Sequence, residues 1–163
     1  MRFKLVYIVH GLILLLFIVS AIYGYNRLVE LNFFIYDDEL NFYNFLDLIV
    51  THKVFRPLII LIAPTIGVFL KNRYGWVFIT SYFYFLICSI CSVFFEDGFS
   101  DYKDILLFVS IVLLITLIII IMNIKKVSFH FYKINKIKLL GLNLVSFVVG
   151  MCSFILLLIS KTI

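Results

Sequence analysis

The 163-residue chain is 64% hydrophobic and 14% charged, with 14 Lys and Arg against 9 Asp and Glu for a net charge of +5, and its mean hydropathy is +1.17. A soluble domain is nearer about half apolar and about a quarter charged, so the composition excludes a water-soluble fold. It points instead to several helices crossing a ~30 Å hydrocarbon core on about 20 apolar residues each.

Arg2 and Lys4 precede an apolar run over residues 5–25, the first expected span. The same basic start, with Val19-Ser20-Ala21, also fits a cleaved signal peptide. Either way the segment that follows is delivered outside. Residues 26–52 form the longest polar stretch, with Glu30, Asp37, Asp38, Glu39 and Asp47 set among aromatics. From Asp38 a helix is expected, capped by Asp37 or Asp38. Asn41, Asn44, Asp47 and Thr51 fall on one of its faces; Phe42, Phe45, Leu46, Ile49 and Val50 fall on the other. That is the pattern of an interfacial amphipathic helix on the extracytoplasmic side, with an ordered loop packed on the outer helix ends as the alternative.

Residues 57–70 would make a helix of only about 21 Å, too short to cross alone. The second span is therefore expected to recruit residues from Ile49 and to kink at Pro57, with Lys53 and Arg56 snorkelling to the surface. Pro64 would leave a carbonyl to be met by Thr65 or a neighbouring helix. The connector Lys71-Asn72-Arg73-Tyr74-Gly75 forces the flanking helices to be antiparallel and adjacent. Its two cations suit the cytoplasmic face.

The third span, 76–95, begins with an interfacial pair, Tyr74 and Trp76. An acidic loop follows from Glu96 to Asp104, in which Asp101 or Asp104 is needed to cap the fourth helix. The fourth span, 105–124, is almost wholly Ile, Leu and Val, and its lack of a small-residue face predicts a peripheral position. Residues 125–138 carry Lys125, Lys126, Lys133, Lys136 and Lys138 with apolar residues between them, and the last span is 139–159.

The expectation is an all-α membrane protein: one transmembrane domain over residues 1–163, a bundle of five helices with the amino terminus inside and the carboxy terminus outside. That orientation puts nine basic residues inside (Arg2, Lys4, Lys71, Arg73 and the five lysines of 125–138) and five outside, as the positive-inside bias requires. The bias also accounts for the net charge, so no nucleic-acid partner is expected. The five lysines would contact anionic lipid headgroups.

Several groups are candidate sites. His10, Thr65, Thr80 and Asn143 come from four spans at similar inner-leaflet depth, and each needs a partner in lipid. A His10–Asn143 hydrogen bond is the expected pairing, either as a structural clasp or as a proton or ion site. Ser20-x-x-x-Gly24, Ala63-x-x-x-Gly67 and Ser146-x-x-x-Gly150 mark close-packing faces on the first, second and fifth spans, which would form the inner bundle. Cys88, Cys91 and Cys152 share an outer-leaflet depth. A Cys-x-x-Cys near the outer end of a helix resembles quinone-linked thiol oxidases, which relay electrons through a second cysteine pair. The acidic loop, and His52 beside Asp37, Asp38 and Asp47, have metal-ligand chemistry but not ligand spacing. No metal and no cofactor is expected, and His130 should be solvated.

The leading functional expectation is a small non-enzymatic multi-pass protein of a bacterial plasma membrane. It would act by intramembrane packing with another membrane protein or with itself, as an accessory subunit or an immunity-type protein. A small transporter or channel component with a polar site around His10 is the alternative, and a thiol oxidoreductase using Cys88 and Cys91 a further one.

Overall fold

A computed structural model describes residues 4–36, 41–98 and 101–162. The described chain forms, in order, α1 (Lys4–Tyr36), α2 (Phe42–Thr51), α3 (Arg56–Phe69), α4 (Arg73–Asp97), α5 (Tyr102–Asn123), α6 (Lys125–Ser128) and α7 (Lys136–Thr162). Four of these, α1, α4, α5 and α7, are long and apolar enough to cross a membrane. The protein is a multi-pass all-α membrane bundle, with four membrane-length helices among the described residues and not five.

The difference lies in the expected span over 49–70, which is two helices of 10 and 14 residues. His52 closes α2, and Lys53 takes a left-handed φ of 51°, a conformation disfavoured for any residue with a Cβ. Helix then restarts with Pro57 in its first turn. Proline has no N–H to donate and suits a helix start better than a helix interior, so Pro57 opens α3 and does not kink a longer rod. The expected orientation, amino terminus inside and carboxy terminus outside, requires five crossings and does not follow from four.

The cap of α2 also moves. Asp37, Asp38 and Glu39 lie outside the described residues, and Asn41 caps the helix, its Oδ1 accepting the Asn44 N–H at 2.9 Å. Leu48 packs in a small cluster with Leu28 and Val54, while Phe42, Leu46 and Val50 stay exposed. At the head of α5, Asp101 and Asp104 form a capping box, with the Asp104 carboxylate accepting the Asp101 N–H at 3.2 Å.

The packing centre is α4, which lies against α7, α3 and α5, while α1 packs on α3. The first, second and fifth expected spans therefore do not form the inner bundle. Close backbone approach explains why. A Cβ added at Gly150 of α7 would sit 2.7 Å from the Ser81 carbonyl oxygen and 3.0 Å from the Phe85 nitrogen of α4. At Gly67 of α3 an added Cβ would sit 2.8 Å from the Gly75 carbonyl oxygen. Small residues let backbones meet where lipid supplies no hydrophobic drive between helices. Of the other packing candidates, Ser146 is fully buried, Gly24 faces the Phe55 ring, Ser20 is half-buried and Ala63 is exposed.

The long-range bonds sort the elements into two ends. Arg56 Nη2 donates to the Leu157 carbonyl at 2.9 Å, tying the start of α3 to the last turns of α7. At the opposite end lie the start of α1, the α3–α4 turn, the end of α5, α6 and the start of α7. That end carries Lys71, Arg73 and the five lysines of 125–138, whereas the described acidic residues, Glu30, Asp47, Glu96, Asp97, Asp101 and Asp104, are on or next to helix segments of the other end.

The Gly150 contact makes a testable difference from Gly141, where an added Cβ would meet open space. Gly150→Ala should lower stability by about 1–3 kcal/mol through overpacking, and Gly141→Ala should leave it unchanged or slightly raised. Thermal unfolding of the two variants in detergent measures the difference.

Candidate functional site

Several polar groups of the bundle, His10, Asn123, Asn143 and Tyr132 among them, gather at the basic end, and the segment after α5 supplies one of them. Between α5 and α7 the chain folds inward. The Phe131 and Tyr132 amides donate to the Val127 carbonyl and the Ile134 amide to the Ser128 carbonyl. Val127, Ser128, Phe131, Tyr132 and Ile134 are buried, while Lys125, Lys126, Phe129, His130 and Lys133 are exposed. Apolar residues thus seal the bundle and cations face out.

His10 on α1 is 6% exposed, and its Nε2 lies 2.7 Å from the Tyr132 hydroxyl. The expected partner, Asn143, is not the one it meets. The His10 ring also lies edge-on to Tyr7 and Phe131, with centroids 6.4 and 5.4 Å away. Burial pushes the Tyr132 phenol above its ordinary pKa, so the hydroxyl keeps its proton. With the Nδ1-protonated tautomer of His10, that O–H donates to Nε2.

Asn143 on α7 pairs instead with Asn123 at the end of α5, the two amides exchanging hydrogen bonds in both directions. The Tyr84 hydroxyl of α4 reaches Asn143 Oδ1 at 3.4 Å. Thr80 is fully buried and donates to the Trp76 carbonyl on its own helix at 2.8 Å. Thr65 Oγ1 has no hydrogen-bond partner among the described residues, so it does not take up the carbonyl that Pro64 leaves. His10, Thr65, Thr80 and Asn143 are thus not one connected layer. His10–Tyr132 and Asn123–Asn143–Tyr84 are separate clasps, and Thr80 is satisfied locally.

Trp76 does not face out of the bundle as an interfacial anchor would. It is fully buried, and its indole Nε1–H donates to the Met122 carbonyl at 2.9 Å. The last carbonyls of a helix have no intrahelical donor, and this bond satisfies one of them in α5 from within α4. Tyr74 is exposed, with the Arg73 guanidinium 4.9 Å from its ring.

The cysteines are free thiols. Cys88 Sγ lies 3.1 Å from Met151 Sδ on α7, Cys91 is half-buried and Cys152 exposed. Among the described residues no group of three or more His, Cys, Asp and Glu side chains could hold a metal. Asp37 and Asp38, set beside His52 in the sequence, lie outside those residues. His52 and His130 are exposed. The functional groups missed by reading the sequence are Tyr132, Asn123 and the indole of Trp76. A paired pattern of lysines with aromatic and aliphatic residues over 125–134 was the available signal for the first.

No family model matches the chain, and neither a curated protein nor a solved structure does.

Two double-mutant cycles separate the clasps. His10→Leu and Tyr132→Phe should each lower stability by about 1–3 kcal/mol, because each leaves a buried polar group unpaired. The double variant should fall short of the sum by about 0.6–1.7 kcal/mol, the coupling typical of membrane hydrogen bonds. His10→Leu combined with Asn143→Leu should be additive within about 0.5 kcal/mol. Unfolding in mixed micelles reads both cycles.

Proposed function

We propose that this is a small non-enzymatic protein of a bacterial plasma membrane that acts by intramembrane packing with another membrane protein or a second copy of itself, in an accessory or immunity-type role. The observation that carries this reading is α7. One face, with Ser146 and Gly150, packs on α4; the opposite face presents Gly141, Val145, Val148 and Cys152, all exposed. These positions fall at helical spacing in one stripe, and small residues on a membrane helix favour close approach by another helix.

The state of the polar groups supports packing over chemistry. His10 is enclosed by Tyr7, Phe131 and Tyr132, which suits a clasp better than an ion path. Cys88 contacts a methionine sulfur, which suits a packing role for the thiol.

Photo-crosslinking in native membranes tests the reading. A benzophenone amino acid at Val145 or Val148 should give one adduct of defined mass. The same residue at Leu113 or Leu117, exposed on α5, should give none. A diffuse smear, or equal adducts from both helices, would contradict a packing face on α7.

A further inference from the structure

We infer that the basic end holds a binding site for one anionic glycerophospholipid, in the cleft between the end of α5 and the start of α7. The cleft has a volume of about 550 Å³, within the range of ligand pockets, about 300–1,000 Å³. Phe129, Ile134 and Leu139 supply apolar lining, and Lys125, Lys136, Ser128 and Asn135 supply polar lining. Asn123 also lines it, its amide already bound to Asn143.

A second cleft of about 170 Å³ adjoins it, sharing Ile134 and Asn135 and bordered by Arg73, Lys133 and Lys138. Five cations from α4, α6, α7 and the connecting segment therefore line two clefts that share Ile134 and Asn135. The described acidic side chains lie on segments of the other end, and the salt bridge seen among described residues is Arg27 with Glu30. Lys133, moreover, is held at a left-handed φ of 57°, a position few non-glycine residues adopt.

Like charges gathered without a counter-charge repel one another, and an anion relieves that repulsion. The apolar lining decides which anion. A free phosphate would leave Phe129, Ile134 and Leu139 uncovered, whereas a phospholipid puts its phosphate among the lysines and its first acyl carbons on that lining. Basic pockets between membrane helices take anionic lipid headgroups by this combination.

The test uses the full chain purified in dodecyl maltoside and read by native mass spectrometry. Dioleoylphosphatidylglycerol should saturate at one retained lipid per chain at concentrations where dioleoylphosphatidylcholine is not retained. Lys125→Gln with Lys136→Gln should weaken retention roughly tenfold, while Lys126→Gln, at an exposed lysine outside the cleft, should change it by less than about twofold. Leu139→Trp, which fills the cleft and leaves every charge in place, should abolish it; this variant and the wild-type lipid preference carry the test if the lysine pair proves needed for folding. Three results would overturn the site. The two lipids could bind equally, Lys126→Gln could weaken binding as much as the pair, or inorganic phosphate could displace the lipid completely.

Discussion

Close approach of α4 to its neighbours is the constraint on which the rest of the bundle rests. Lipid is as apolar as a leucine side chain, so nothing like the hydrophobic effect draws one membrane helix to another. What remains is contact, and contact is closest where a side chain is missing. Gly150 brings α7 onto the Ser81–Phe85 segment, and Gly67 with Gly75 brings α3 onto the first turn of α4. With α4 fixed between them, the buried aromatics Trp76, Tyr82, Phe83 and Phe85 fill the space around it.

Position then dictates the polar chemistry. Because α4 is central, Trp76 at its start is carried inward to the end of α5, where a carbonyl lacks a donor. Because α5 and α7 both lie on α4, Asn123 and Asn143 come within reach and satisfy each other. His10 cannot join that pair, since α1 packs chiefly on α3, and it is served by Tyr132 from the infolded segment. Each bond removes a buried polar group from a medium that offers it no water.

The same segment separates two kinds of side chain. Val127, Phe131, Tyr132 and Ile134 turn in to close the bundle, and the lysines turn out, Lys125 and Lys133 lining clefts. A site for lipid on one end and a bare stripe on α7 would serve the same protein well. The first would hold the bundle at a fixed depth and rotation, and the second would meet a partner helix within that frame.

Much of this was legible in the sequence because membrane insertion is governed by local composition. Runs of apolar residues longer than the hydrocarbon thickness stand out without any knowledge of neighbours, and so α1, α4, α5 and α7 could be located. Lysine clustering over 125–138 and the cap at Asp101 are likewise local. The break near Lys53 was harder, since a proline can either open a helix or kink one and only the surrounding contacts choose. Tertiary structure alone decided which helix is central, that Trp76 is buried, and that His10 meets a tyrosine 122 residues away. Those outcomes depend on which small residues come face to face. An apolar helix reads much the same on all sides until its neighbours are in place.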